Sequence, residues 1–303
     1  MSRVSTIHVQ PLATLVESKR GRLVPLPARL ARLYGELRLP QLARSWVYSN
    51  FVTTLDGVVS LNVEGHASGG DISGFDTQDR MVMGLLRAVA DAIVIGSGTL
   101  GADRRHVWTA AAIYPALARE YALLRAALGR PSVPLNVVVS GSGELDLRLP
   151  LFASGKVPVL ICTTASGAQA LRRQHVPSTV EIRIVRRRTG AIPARAILAA
   201  VRDACGGRRI LVEGGPRLLG DFYAEGLVDT QFLTLAPQIA GRETGDRRLS
   251  LVMGQVFAPR NALWGRLVDA RRGSRHLFLR YSYRDTTSSA NPVARSKLRL
   301  KDH

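Results

Sequence analysis

Short apolar, β-branched runs alternate with helical patterns along most of this chain, and that alternation constrains the fold more than any other feature. Trp46–Thr53, Ala92–Gly96, Leu135–Ser140, Val157–Thr163, Val180–Val185, Arg209–Glu213, Thr230–Ala236 and Leu277–Tyr283 are the expected strands. Between them, Thr77–Ala90, Pro115–Leu128, Gly167–Gln174, Pro193–Ala204 and Pro216–Glu225 carry helical periodicity. Strands of this kind separated by helices fit a parallel sheet covered on both faces. No long helix separates the last two strands, which predicts an antiparallel C-terminal edge. The expected fold class is α/β: a mainly parallel sheet, helices on both faces, and that edge.

No low-complexity linker divides the core, so one large domain is expected over residues 45–285. Residues 1–44 read as an arm with a short helix in Pro27–Leu39, marked by Leu30, Leu33 and Leu37. Residues 286–303 read as a basic, disordered tail. No basic segment followed by an apolar core opens the chain and no apolar run reaches membrane-spanning length, so a cytoplasmic protein without membrane attachment is expected.

The net charge of +19 invites a nucleic-acid reading. Its densest spots are Arg186-Arg187-Arg188, Arg247-Arg248, Arg271-Arg272 and Arg295–Lys301. None is interleaved with aromatic residues, and no nucleic-acid module signature is present. The simpler reading is a solvated basic surface, or a basic cleft that steers anionic ligands inward. Cys162 and Cys205 are too few for a disulfide framework or a four-ligand zinc site, and no metal is expected. The chain lacks a P-loop, and it lacks the H-x-E with P-C-x-x-C of a zinc deaminase.

Three segments carry chemistry. In Asn50–Gly57 a strand ends in Thr53, Thr54, Asp56 and Gly57. Ligands gather at the carboxyl ends of strands in α/β sheets. Asp56 is therefore placed either to bind a substrate or to shape the turn by accepting backbone N–H bonds. In Leu85–Asp103 a helix ends, Asp91 turns the chain, and a strand runs into a Gly/Ser/Thr loop. Gly96, Gly98 and Gly101 match G-x-G-x-x-G by letter. A helix opening at the third glycine and an acid after a second strand are missing, which argues against a standard dinucleotide fingerprint. In Ile210–Phe222 an apolar strand ends at Glu213, and Gly214-Gly215-Pro216 opens a helix. Glycines let a ligand approach the backbone, proline suits the first helical turn, and the helix start offers N–H groups to phosphate. A Glu at a buried strand end is costly unless hydrogen-bonded, which favours a ligand-facing Glu213.

Together these motifs resemble the reductase domain of bacterial riboflavin biosynthesis proteins, a family with a dihydrofolate-reductase-like fold. The resemblance covers about residues 45–283. It rests on Thr54-Leu55-Asp56-Gly57, the Leu86–Asp103 run, Glu213–Pro216, and Gly226-Leu227-Val228-Asp229 leading to Ala236-Pro237. It implies NADPH-dependent reduction of a ribosylamino-pyrimidine to its ribitylamino form. A related reductase of a pterin or other heterocycle is the nearest alternative. A basic nucleic-acid-binding protein that keeps only the fold is the alternative from another class.

By position, the resemblance implies that Arg87 and Glu213 face the substrate, with Arg87 on its phosphate, joined by Ser68. Asp56 is the implied catalytic residue that holds the substrate. Val52, Thr53, Gly96, Thr99, Asp103, Ser140, Gly141 and the turn Gly214, Gly215, Pro216, Arg217, Leu218 and Leu219 are the implied cofactor contacts. The chain departs from the family where Thr54 replaces a serine and where Arg104-Arg105-His106 follows Asp103. A homodimer is also implied, with the apolar strand in Leu227–Ala236 available to extend a sheet or pack across a two-fold axis.

Overall fold

The computed structural model describes residues 9–41, 44–186, 191–245 and 247–283. Arg187 and Arg188 of one basic cluster, the start of the expected arm, and the expected tail with Arg295–Lys301 lie outside the described residues.

β1 (Ala13–Glu17) comes first, then β2 (Arg22–Leu23), α1 (Ala28–Tyr34) and β3 (Arg38–Leu39), with β2 and β3 paired antiparallel. β4 (Trp46–Thr53) leads through β5 (Val58–Ser60) to α2 (Gly69–Ser73) and α3 (Thr77–Val89). β6 (Ala92–Gly96) runs into α4 (Ser97–Ala102), followed by α5 (Ala110–Ile113) and α6 (Ala118–Ala127). β7 (Leu135–Ser140), α7 (Pro150–Ala153), β8 (Val159–Thr163), α8 (Ala165–Arg172) and β9 (Val180–Ile184) build out one side. α9 (Ala194–Cys205), β10 (Arg209–Val212), α10 (Pro216–Ala224) and β11 (Thr230–Leu235) return to the centre. β12 (Leu249–Ser250) pairs with β5, and β13 (Arg266–Arg272) and β14 (Leu277–Ser282) complete the other side.

The main sheet has the order β1-β13-β14-β11-β4-β10-β6-β7-β8-β9. From β11 to β9 every neighbouring pair is parallel; β14, β13 and β1 follow as antiparallel additions. The α/β expectation, with its antiparallel C-terminal edge, therefore holds. Side chains alternate between two apolar layers. Trp46, Tyr48, Ile93 and Leu211 pack on one face with α3 and α6, while Val47, Val94, Ile210 and Val212 pack on the other with α9 and α10. Each fully buried aliphatic or aromatic side chain contributes about 1.5–3 kcal/mol, so both faces must be covered.

Three expectations need correction. The N-terminal segment is more than an arm, because β1 joins the main sheet beside β13. β1 is mostly exposed, so it shows no apolar pattern, and backbone pairing with β13 places it. β13 escapes sequence reading because it is charged. Arg271 lies fully buried in it, bonded to Asp269, Thr14, Glu17 and the Glu36 carbonyl, and it ties the N-terminal segment to the sheet. β11 runs between β4 and β14, so it cannot extend the sheet into a second copy.

Candidate active site

The parallel strands β4, β10, β6 and β7 end around one cavity of about 840 Å³. Helix α3 forms much of one wall. Asp76 caps its start by accepting from Asp79 N at 2.9 Å. The buried Arg125 of α6 closes its end, donating from Nη1 to the carbonyls of Arg87, Ala88 and Ala90. A cation there satisfies carbonyls that have no partner within the helix. Held at both ends, α3 presents Asp79, Arg80, Met83 and Arg87 to the cavity, a stripe at helical spacing.

Arg87 and Glu213 meet at the base of this wall. Arg87 Nε lies 3.1 and 2.9 Å from the two Glu213 carboxylate oxygens, and Nη2 lies 2.8 Å from Oε2. Nη1 donates to His106 Nε2 at 2.6 Å and to the Thr109 carbonyl at 3.3 Å. Arg87 is 3% exposed. These contacts occupy most of the guanidinium's donor capacity. The two expected substrate ligands are thus first of all each other's partners, a bidentate pair in the cavity lining. Arg87 is not an open fork waiting for phosphate.

His106, three residues after Asp103, is built into the site. Arginine only donates, so His106 Nε2 must be the acceptor. Burial, then the positive charges of Arg87 and Arg80, push its pKa down to about 3. Trp108 packs edge-on against the imidazole at 5.0 Å between ring centres. Asp103 lies 3.8 Å from His106 Nδ1, and burial raises its carboxyl above the ordinary range.

The opposite wall is glycine-rich. A Cβ added at Gly96, Gly98 or Gly101 would meet nothing within 4 Å, and all three line the cavity. Gly98 and Gly101 lie inside α4, which opens at Ser97, so the G-x-G-x-x-G letters do not form the standard fingerprint. Gly215 has φ +47° and donates its N–H to Thr99 Oγ1 at 2.7 Å, joining α4 to the start of α10. Pro216, Arg217 and Leu218 continue the wall.

Of the expected site residues, Val52, Ser68, Arg87, Gly96, Thr99, Asp103, Gly141, Glu213, Gly215, Pro216, Arg217 and Leu218 line this one cavity. Ser68 also hydrogen-bonds Asp71 at 2.7 Å in the cap of α2. Five do not line it. Asp56 accepts from Thr54 Oγ1 and from the N–H groups of Ala240 and Gly241, and these bonds, the Thr54 one foremost, hold its pKa near about 2. These bonds serve the turn-shaping role left open for Asp56, which lies outside the cavity lining. Thr53 is buried, its hydroxyl spent on the Thr54 and Val58 carbonyls. The Ser140 hydroxyl accepts from Gly143 N. Gly214 packs against strand β6: a Cβ there would lie 2.4 Å from Ile95 Cα. Leu219 is core. These four serve packing and turn geometry, which a position-by-position resemblance does not separate from ligand contact.

Asn50, Asp79, Arg80, Met83, His106, Trp108 and Asp221 line the cavity without having been singled out as ligands. The 79/80, 83, 87 spacing on α3 was the available signal for three of them, since Arg87 marks the facing stripe. His106 and Trp108 gave none, because irregular segments have no period.

The RibD C-terminal domain family matches residues 45–256. Solved structures share the fold. A pyrimidine reductase-like protein of Corynebacterium diphtheriae aligns with a TM-score of 0.61 at 22% identity, over 84% of this chain and 97% of that one. RibD of Acinetobacter baumannii aligns with a TM-score of 0.58 at 18% identity, over 80% of this chain and 58% of that one. The riboflavin biosynthesis reductase of Saccharomyces cerevisiae aligns with a TM-score of 0.55 at 15% identity, over 81% and 92%. No curated protein sequence matches the chain. Among the described residues no helix is long and apolar enough to cross a membrane.

Proposed function

The chain belongs to the RibD C-terminal domain family, and from that premise we propose that it is an NADPH-dependent reductase of a nitrogen heterocycle, foremost a ribosylamino-pyrimidine reduced to its ribitylamino form. The observation that carries this reading is the cavity at the strand ends, with a glycine wall on one side and a polar helix wall on the other. The glycine wall fits a dinucleotide. Gly96, Gly98 and Gly101 leave open space that side chains would fill, and Gly215 adopts a backbone conformation that L-residues rarely take. Thr99, Gly215, Pro216, Arg217 and Leu218 would hold the cofactor, the exposed Arg217 by charge. When bound, the nicotinamide supplies hydride.

The remaining residues position and polarise. The Arg87–Glu213 pair fixes the carboxylate at the end of β10 without leaving either charge buried alone. His106 is held neutral and oriented by Arg87. Asp103, its carboxyl raised by burial, is a group suited to exchange a proton inside the cavity. With Arg87 committed, an anionic substrate group falls to Arg80, half-buried on the same wall.

A cytoplasmic homodimer belongs to the same proposal. Any pairing of sheets would use β1 or β9, the outer strands of the main sheet, and light scattering reads the oligomeric state. The deciding experiment combines NADPH and NADH thermal shifts with NADPH oxidation against a panel of pyrimidine and pterin substrates. A native-state ligand raises the melting temperature. Turnover restricted to pterins would move the substrate, and absence of any shift with either cofactor would end the reductase reading.

A further inference from the structure

Asn50 is a polar residue near the middle of β4, and no role above employs it. Strand alternation puts it on the face that carries Tyr48 and packs under α3, and it is 7% exposed. The register sets Phe232 of β11 beside it. On the other side Glu213 falls one step beyond the Val212–Ser49 pair, next to Asn50. Its polar neighbours are committed elsewhere. The Tyr48 hydroxyl donates to the Leu86 carbonyl at 2.8 Å, and Glu213 is paired with Arg87. Among the described residues nothing hydrogen-bonds the Asn50 carboxamide. Asn62, the other carboxamide on the cavity lining, already donates to the Arg247 carbonyl at 3.0 Å.

The cost of this arrangement carries the argument. Asparagine is disfavoured in strands, and a buried amide is costly when unpaired. An aliphatic side chain would meet the Tyr48 and Phe232 rings without that cost. Asn50 lines the cavity, so a ligand there can supply the partner. A carboxamide presents a donor and an acceptor side by side in one plane. The Glu213 carboxylate only accepts and the Arg80 guanidinium only donates, so neither reads a mixed edge.

We propose that Asn50 sets substrate specificity, its carboxamide pairing bidentately with a mixed donor–acceptor edge of a planar nitrogen heterocycle, as asparagine does with base edges. An oxo-pyrimidine supplies that edge as ring N–H beside C=O, and an amino-pyrimidine as ring nitrogen beside NH2. The inference deepens the reductase reading and rests on it for the identity of the cavity. A nicotinamide carboxamide carries the same edge, but Asn50 belongs to the α3 side of the cavity, opposite the glycine wall, which favours a substrate ring.

The test titrates the full chain calorimetrically with 6-aminouracil, 2-aminopyrimidine and NADPH. The wild type binds at least one of the two rings, and Asn50→Leu weakens that binding by at least about tenfold while NADPH affinity stays within about twofold. The ring that shows the loss identifies the edge. Equal affinities in the two proteins, or no binding of either ring to the wild type at millimolar concentration, overturns the proposal. A loss of NADPH affinity as large as the loss for the ring places Asn50 on the cofactor and overturns it as well. A wild type that binds a ring through Asn50 but does not bind NADPH overturns the reductase reading and leaves the Asn50 assignment standing. Magnetic resonance of wild-type protein with nitrogen-labelled asparagine needs no variant. There the side-chain amide signal of Asn50 moves downfield when the ring binds, and an unmoved signal refutes the assignment even if Asn50→Leu fails to fold.

Discussion

Arg87 Nη1 donates to His106 Nε2 at 2.6 Å, and this contact decides the protonation state of the site. A protonated imidazole would place two donors and two positive charges against each other. The neutral tautomer instead carries its proton on Nδ1, the nitrogen that faces Asp103 across 3.8 Å. Arg87 thus pairs with Glu213 directly and orients the imidazole, whose Nδ1 faces Asp103.

This arrangement has a pH signature. His106 titrates near 6.5 when unfolded and near about 3 when folded. The unfolded chain therefore binds the proton more readily in that window. The contribution of neutral His106 is present above about 6.5 and is lost as pH falls toward about 3, at up to about 1.4 kcal/mol per pH unit. Asp79 works in the opposite sense. Its folded pKa is raised from 3.8 to about 6, so its contribution grows as pH falls through that range. The comparison with His106→Gln isolates the imidazole, since the Gln carbonyl can still accept from Arg87. Urea unfolding is expected to show the wild type losing more stability than His106→Gln between about pH 6.5 and 4. Parallel losses in the two proteins would refute the neutral-imidazole account.

Breaking the Arg87–Glu213 pair from either side should destabilise the fold before it affects chemistry. Removing one partner of a buried ion pair costs about 3–5 kcal/mol because the other charge stays buried. Arg87→Met and Glu213→Gln are each expected to fall in that range. The double variant should recover much of the loss, since no net charge is left behind. Additive losses in the double variant would show that the two residues act independently. Denaturant midpoints with unchanged slopes give the comparison.

How much of this could be read from residues alone follows from which physical signals have a period. Trp46–Thr53 and Ala92–Gly96 are apolar on both faces because helices cover both, and such strands announce themselves. β13 does not, because its buried Arg271 is held both by Asp269 two residues away and by Thr14 and Glu17 at the far end of the chain. In the site, Glu213 and Gly215 were visible as breaks in an apolar run. The coupling of Glu213 to Arg87 spans 126 positions and leaves no local trace. Asp56 shows the converse ambiguity: an acid beside a glycine at a strand end marks a tight turn as readily as a ligand contact. Here its partners are the Thr54 hydroxyl and the backbone of residues 240 and 241.

Gly214 and Gly215 stand side by side but should fail differently. A Cβ at Gly214 would press to 2.4 Å from Ile95 Cα and 2.7 Å from Gly96 N, both rigid backbone. Gly214→Ala is expected to cost about 1–3 kcal/mol through overpacking. At Gly215 the nearest atom to a new Cβ is Thr99 Oγ1 at 3.7 Å, so space is available and only φ +47° resists. Gly215→Ala should cost about 1–3 kcal/mol, the penalty of this sparsely populated positive-φ backbone for an L-residue, and the protein should still fold. Its NADPH affinity should drop well beyond that loss, because the Cβ projects where the cofactor is proposed to lie. Calorimetric melting and NADPH titration on the same samples separate the two cases. Normal NADPH binding by folded Gly215→Ala would show that this turn is not the cofactor site.

Arg80 is the cation whose removal should be felt by substrate rather than by the fold. It is half-buried on the cavity wall, two turns before Arg87 on the same face of α3, and the Phe75 ring packs beneath its guanidinium at 5.3 Å. Phe75 itself has φ +56°, unusual for a bulky residue, so the chain tolerates local strain to keep the ring there. A charge-assisted bond to phosphate contributes about 1.5–3 kcal/mol, less where water reaches it. Arg80→Ala is therefore expected to raise KM for a phosphorylated ribosylamino-pyrimidine by about fivefold to tenfold, with kcat little changed. Arg80→Lys should recover part of the loss, because it restores charge without the planar fork. The same variant tested on the dephosphorylated substrate should show no change in KM, which ties the effect to the anion. An unchanged KM for the phosphorylated substrate in Arg80→Ala would return the phosphate to Arg87, and the committed geometry of that guanidinium would then have to open on binding.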